Sequence, residues 1–206
     1  MLDRSSLCLP EGFKVFPQAL NAHEQKTLVQ SISEILRIAP LFQPRMPRTG
    51  KPFSVQMSNC GPLGWVSDKE GGYRYQAHHP LTGLAWPAIP EKILTAWRDL
   101  AGYPNLPEAC LVNYYAPNAR MGLHQDRDEL ALDAPVLSVS LGDSALFRYG
   151  GTQRKDRTKS IRLHSGDVVL IGGASRLIFH GIERVFLVAP SSTDERLKLV
   201  TSVCSG

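Results

Sequence analysis

The run Leu111-Val112-Asn113-Tyr114-Tyr115-Ala116-Pro117-Asn118-Ala119-Arg120-Met121-Gly122-Leu123-His124-Gln125-Asp126-Arg127-Asp128 decides how this chain reads. It begins as a strand over 110–116, passes a turn at Gly122 and arrives at His124-x-Asp126. Side chains alternate with period 2 on extended backbone, so a histidine and a carboxylate two residues apart point to the same side. One imidazole nitrogen and one carboxylate oxygen then reach a single metal ion. A third ligand is needed, and the candidate is His180 in the strand-like run Leu177-Ile178-Phe179-His180. Two histidines and one carboxylate with open positions form the facial triad of non-heme Fe(II) chemistry. His124-x-Asp126 alone also fits a surface loop, and a single His180 among apolar residues also fits a core histidine. His23 on a helix, the pair His78-His79 in an aromatic loop and His164 at a hairpin end read as structural or exposed.

Outward from this run, the downstream half is a series of short strands. They are expected at 135–141, 145–149, 160–164, 167–171, 177–182 and about 197–203, separated by Gly142-Asp143, Gly150-Gly151, Ser165-Gly166 and Gly172-Gly173. Short strands divided by such turns predict a sandwich or jelly roll. Upstream, Phe13-Lys14-Val15-Phe16 reads as a strand. Asn21 and Glu24 stand in a capping-box relation, and Leu28, Ile32, Ile35 and Leu36 recur at helical spacing, so a helix is expected over 22–38 with Pro40 ending it. A second helix fits 90–101, with Ile93, Leu94, Trp97 and Leu100 on one face and Gly102 as the stop. Residues 41–86 carry scattered Pro and Gly with interleaved Trp65, Tyr73 and Tyr75. Long helices are excluded there, and short strands and loops covering a binding surface are expected.

Composition narrows the classes. The 206 residues suit one core, and 43% hydrophobic content excludes a disordered chain. No apolar run approaches the roughly 20 residues of a membrane span. The start Met1-Leu2-Asp3-Arg4-Ser5-Ser6-Leu7 lacks the pattern of a secretory signal. The four cysteines, Cys8, Cys60, Cys110 and Cys204, form no Cys-x-x-Cys pair, which disfavours a zinc knuckle and fits free thiols in a reducing cytoplasm. A net charge of +4 is compatible with nucleic acid without demanding it.

Several segments together resemble one family. Asn113-Tyr114-Tyr115-Ala116-Pro117, Leu123-His124-Gln125-Asp126-Arg127-Asp128-Glu129, Ala134-Pro135-Val136-Leu137-Ser138-Val139-Ser140-Leu141-Gly142 and the run from Gly166 through Ser175-Arg176-Leu177-Ile178-Phe179-His180-Gly181-Ile182 look like the AlkB family. Ser58-Asn59-Cys60-Gly61-Pro62-Leu63-Gly64-Trp65 and Trp86-Pro87-Ala88-Ile89-Pro90 extend the likeness upstream. These are Fe(II)/2-oxoglutarate dioxygenases that repair alkylated bases. The resemblance implies a mostly β chain with N-terminal helices (α+β) around a double-stranded β-helix, or jelly-roll, core. It implies one domain over 1–206, with supporting helices in 1–40 and 88–102, a nucleotide-recognition lid at 41–86 and a dioxygenase core at 108–206.

The implied cofactors are Fe(II), 2-oxoglutarate as cosubstrate and O2. His124, Asp126 and His180 would hold the iron, and Asn113, Tyr115 and Arg196 would bind 2-oxoglutarate. Arginine suits its distal carboxylate because a planar fork makes two parallel hydrogen bonds. The family's Arg-x-Asn-Leu-Thr-x-Arg segment is incomplete here: Arg196 matches the first arginine, but Lys198, Val200 and Ser202 replace the Asn, Thr and second Arg. For the substrate, Trp65 and Tyr73 match aromatic base contacts, with Tyr75 the alternative because Gly71-Gly72 adds a glycine. Asp128 and Arg154 match polar contacts. The run Arg154-Lys155-Asp156-Arg157-Thr158-Lys159 lies in a hairpin loop as a candidate phosphate contact. The expected activity is oxidative demethylation of 1-methyladenine and 3-methylcytosine in DNA, with RNA as a further candidate. A different class is a nucleic-acid-binding module whose catalysis is impaired at the altered last strand. A cytoplasmic monomer with no membrane and no obligate protein partner is expected.

Overall fold

The computed structural model describes residues 9–186 in full and the backbone of 199–204. In chain order the elements are β1 (Phe13–Phe16), α1 (Ala22–Ile38), β2 (Gln56–Cys60), β3 (Gly64–Asp68), β4 (Gly72–Gln76), α2 (Glu91–Leu100), β5 (Ala109–Tyr114), β6 (Met121–His124), β7 (Val136–Leu141), β8 (Ser144–Tyr149), β9 (Lys159–Leu163), β10 (Val168–Ile171), β11 (His180–Phe186) and β12 (Leu199–Cys204). Six strands form one sheet in the order β1-β10-β7-β12-β5-β2, four form a second in the order β6-β11-β8-β9, and β3-β4 is a separate hairpin. This mostly β arrangement of two apposed sheets is the jelly roll.

Strand alternation divides the core into two layers. Cys110, Val112, Leu137, Val139, Leu141, Val168 and Leu170 face the helices, where Leu28, Ile32, Ile35, Ile93 and Trp97 cover them. The intervening residues Val136, Val169 and Ile171 face the smaller sheet and meet Ala145, Phe147, Ile161, Leu163 and Ile182. Strand β7 is buried at every position because it is covered on both sides. Truncating a side chain such as Leu28, 1% exposed, costs about 2–5 kcal/mol.

The capping box forms as the spacing predicts: Glu24 N donates to Asn21 Oδ1 at 3.0 Å, and Asn21 N donates to Glu24 Oε2 at 2.8 Å. Lys92 Nζ bonds Glu24 Oε1 at 2.8 Å and ties α2 to α1. Gly102, at φ +63°, follows the end of α2 in a conformation that β-carbons resist. Cys60 and Cys110 are buried free thiols on directly opposed positions of β2 and β5.

Two local expectations differ. Gly122 lies inside β6 and is not a turn. The turn comes earlier, where Ala119 N bonds Ala116 O at 2.9 Å and Asn118 takes φ +68°. The strand expected over 177–182 begins at His180, because Gly173–Ser175 forms a 3-10 turn and Ile178 N still bonds Ser175 O at 3.0 Å. Among the described residues, no helix is long and apolar enough to cross a membrane.

Candidate active site

Strands β6 and β11 are antiparallel neighbours, and their register sets His124 directly opposite His180. The sequence explains the closeness. A β-carbon on Gly181 would collide with the carbonyl oxygens of Met121 and Gly122, so glycine lets β6 press against β11 beside the histidine. The imidazole centroids are 4.5 Å apart. Asp126, just past the end of β6, turns back between them. Its Oδ1 is 3.5 Å from His124 Nε2 and its Oδ2 is 3.4 Å from His180 Nε2. All three donor atoms lie within 4.8 Å of one another.

The tautomers follow from the far side of each ring. His124 Nδ1 is 3.0 Å from Gly122 O, and His180 Nδ1 is 3.2 Å from Ile178 O. A carbonyl only accepts, so each Nδ1 carries a proton, and Nε2 is the nitrogen that faces Asp126: it donates to the carboxylate when protonated and offers its lone pair to a bound ion. Donors that share an ion at roughly 2.1 Å and near right angles sit about 3 Å apart, close to the observed spacing. Phe147 stacks on His180 with centroids 5.8 Å apart and fixes its plane. Burial works to raise the Asp126 pKa, but the charge of His180 and hydrogen bonds from both imidazoles hold it well below the ordinary carboxylate range. Burial works to lower the His124 pKa, but the Asp126 hydrogen bond and charge raise it. An anionic carboxylate that favours the protonated form of His124 also draws a divalent cation. The donor set therefore fits Fe(II).

Arg176 holds this arrangement together, and it was not among the residues singled out from the sequence. Its Nε donates to Ala134 O at 2.6 Å, its Nη1 to Asp126 O at 2.9 Å and its Nη2 to the Glu129 carboxylate. Arg176 and Glu129 side chains are each 4% exposed. One guanidinium thus fastens both ends and the middle of the 126–134 loop to the turn that leads into His180. The signal available in sequence was an arginine inside an apolar run, Ser175-Arg176-Leu177-Ile178.

The interior of the barrel beside the triad is polar. Asn113 on β5 and Tyr115 just beyond it are both 4% exposed. Asn113 and Ser140 lie in one row across the sheet, each opposite Val200 of β12, so they share its inner face. Ser138 and Ser140 are buried on the inward side of β7. The pattern Ser138-Val139-Ser140 inside an otherwise apolar strand was the sequence clue to them. Burial raises the Tyr115 pKa and keeps the phenol a neutral donor. Arg196 lies outside the described residues.

Trp65 and Tyr73 stack on the β3-β4 hairpin, with centroids 5.7 Å apart and planes 23° from parallel. Trp65 sits opposite Tyr75 in register, yet its ring meets Tyr73, the diagonal neighbour that long side chains reach across a pair. Tyr73 is 46% exposed, and its hydroxyl is 3.8 Å from Met46 Sδ. The preceding loop is pinned to the approach to β6, because Ser54 Oγ donates to Arg120 O at 2.7 Å and accepts from Arg120 N at 3.1 Å. Asp128 is exposed, and its charge is felt at His124. Arg154 lies over the Phe179 ring at 5.6 Å and bonds Leu123 O at 3.4 Å, next to His124. The remaining histidines stand apart from the triad. His79, 1% exposed, bonds Pro40 O through Nε2 at 2.7 Å and accepts from Leu81 N and Thr82 N. His164 Nδ1 bonds Ser144 Oγ at 2.8 Å.

Comparison with known proteins agrees with this geometry. Residues 12–201 match the family described as the 2OG-Fe(II) oxygenase superfamily. The chain is 48% identical over 179 residues to an alpha-ketoglutarate-dependent dioxygenase AlkB homolog of Caulobacter vibrioides, covering 87% of this chain and 80% of that one. It is 45% identical over 169 residues to alpha-ketoglutarate-dependent dioxygenase AlkB of Escherichia coli, covering 80% and 76%. The structure of OsALKBH1 superposes with a TM-score of 0.80 at 28% identity, over 96% of this chain and 99% of that one. A prolyl hydroxylase from Trichoplax adhaerens shares the fold at a TM-score of 0.58 and 10% identity, over 95% and 84%.

Proposed function

The chain belongs to the AlkB family of the 2OG-Fe(II) oxygenase superfamily, and from that premise we propose that it demethylates 1-methyladenine and 3-methylcytosine in DNA, with RNA as a second substrate class. It is a dioxygenase that uses Fe(II), 2-oxoglutarate and O2, and it acts on alkylated nucleic acid. The triad, in which two Nε2 atoms and one carboxylate converge within 4.8 Å, carries the iron chemistry, and the stacked Trp65 and Tyr73 support the reading of the substrate as an extruded base.

His124, Asp126 and His180 are the residues that would hold the iron. Bound there, Fe(II) supplies the activation of O2 that couples 2-oxoglutarate decarboxylation to hydroxylation of the N-methyl carbon. The product hydroxymethyl group leaves as formaldehyde when its C–N bond breaks, which returns the electron pair to the ring nitrogen. Asn113 and Tyr115 offer neutral hydrogen-bond donors to 2-oxoglutarate from the barrel interior, and Arg196 is assigned its distal carboxylate. Segment 41–86 acts as the nucleotide-recognition lid. Trp65 and Tyr73 give an extruded base its stacking surface, and Asp128 attracts the positive charge that methylation puts on the ring. Arg154 steadies the substrate at the mouth.

The test is a panel of methylated DNA and RNA oligonucleotides incubated with Fe(II), with and without 2-oxoglutarate. Formaldehyde is expected to match succinate in amount and to vanish without 2-oxoglutarate. Full activity in His124→Ala or His180→Ala would overturn the iron assignment. Saturable 2-oxoglutarate binding with Mn(II), weakened in Arg196→Ala, supports turnover over a binding module.

A further inference from the structure

The β8-β9 hairpin carries a charge imbalance that the iron site does not use. Within 144–163 stand Arg148, Arg154, Lys155, Arg157, Lys159 and Arg162 against a single carboxylate, Asp156. That is +5 in 20 residues of a chain whose net charge is +4, so the remainder is slightly acidic. Asp156 does not neutralise its neighbours. It turns onto the hairpin backbone, accepting from Gln153 N at 2.9 Å. Among the described residues, no carboxylate pairs with Arg148, Arg154, Lys155, Arg157 or Lys159.

Sheet register relates this charge to the mouth of the site. His124, His180, Tyr149 and Lys159 form one row across β6, β11, β8 and β9. At about 4.8 Å per strand the row is roughly 14 Å long. The loop 150–158 projects past it on the side of the triad, where Arg154 is fastened over Phe179. Away from the mouth, Phe147, Tyr149, Ile161 and Leu163 point into the core, so Arg148 and Arg162 point outward. Leu146 is the register partner of both Arg162 and Arg184, which aligns two guanidinium groups in one outward row. The Arg162 guanidinium lies 4.0 Å over the Phe186 ring, and Arg148 Nε bonds Thr158 Oγ1 at 2.9 Å. Arg148, Arg162 and Arg184 are all exposed, and Glu183 is the acidic residue beside them on β11.

The geometry points to a backbone track: the outer face of the four-stranded sheet, entered at the 150–158 loop, binds the phosphates that flank the extruded base. This rests on the reading that the site takes its base from a nucleic acid strand. Phosphate is the partner these groups suit, because an arginine fork matches its oxygens and each contact releases a condensed counterion. A strand leaving the mouth across this face would meet cations at successive outward positions.

The test uses the full-length protein and an unmodified single-stranded oligonucleotide, with binding followed by fluorescence anisotropy against salt. The variant Arg148→Gln/Lys155→Gln/Arg162→Gln/Arg184→Gln is expected to flatten the slope of log K on log salt by up to about 3, from about 0.7 per phosphate contact. Arg148→Lys/Arg162→Lys keeps the charges and is expected to keep the slope, which separates loss of charge from loss of fold. Demethylation of a free methylated nucleoside should be unchanged in the Gln variant while demethylation of the oligonucleotide falls. An unaltered slope in the Gln variant overturns the track even if demethylation is seen. Wild-type binding with a steep slope that the Gln variant loses, but without demethylation, upholds the track and sinks the proposed substrate reading. No salt-dependent binding by the wild type, or equal flattening in the Lys variant, overturns the track.

Discussion

Replacing Arg176 with methionine removes the side chain that ties Asp126, Glu129 and Ala134 to the turn before His180. The volume is nearly kept, so the loss is electrostatic. Glu129, 4% exposed, is left without its guanidinium. Breaking a buried ion pair on one side costs about 3–5 kcal/mol. The carbonyls of Asp126 and Ala134 lose charge-assisted donors as well, at about 1–3 kcal/mol each if they stay dry, although such terms do not simply add. Against a typical total of about 5–15 kcal/mol this is severe. The double variant Arg176→Met/Glu129→Met leaves no stranded charge and should recover most of the stability. It should not recover metal affinity, because the carbonyl of the ligand residue Asp126 is still unheld. Loss of an outer partner of a metal ligand costs about 10–100-fold in affinity. Urea unfolding reads the first effect, and Co(II) titration by visible absorption reads the second. A single variant that loses under about 1 kcal/mol, or a double variant that binds Co(II) like the wild type, would refute the reasoning.

Three further outcomes are expected. Gly181→Ala drives a methyl into the β6 carbonyls and should separate the histidines, with about 1–3 kcal/mol lost and Co(II) affinity reduced, read by thermal unfolding and the same titration. Trp65→Ala or Tyr73→Ala removes half of the stacked pair and should weaken oligonucleotide binding by about 1–3 kcal/mol, appearing in KM more than in kcat. Asp68 accepts from Arg74 Nη2 at 2.7 Å and from Gly71 N at 2.6 Å, and these bonds lower its carboxyl pKa below the ordinary 3.8. Its contribution to the β3-β4 hairpin is therefore complete above that ordinary value and is lost only as pH falls through the lower, folded-state value. Trp65 fluorescence should stay flat down to about pH 4, and Asp68→Asn should show the loosened signal at neutral pH.

Much of the site was readable as a set of residues. His124, Asp126 and His180 converge as expected, although Asp126 reaches back from a loop and not along a strand. Trp65 and Tyr73, both named from the sequence, come together as a stacked pair on the β3-β4 hairpin. Arg176 was passed over because a buried arginine in a chain of letters looks like any solvated one. Only its distance to Glu129, 47 positions earlier, distinguishes it.

The local elements are written in short stretches of sequence. Helical spacing with a capping box set α1 at Ala22–Ile38, and alternation with turn residues set most strands, because both signals are carried within a few neighbouring residues. Tertiary structure alone decided what lies beside what. It put β12 between β5 and β7, placed Gly122 inside a strand, aimed Ser138 and Ser140 inward and laid Arg148 and Arg162 on one outward face. Pairing across dozens of residues is selected by burial of two sheets against each other at once, and no local window of sequence contains both partners.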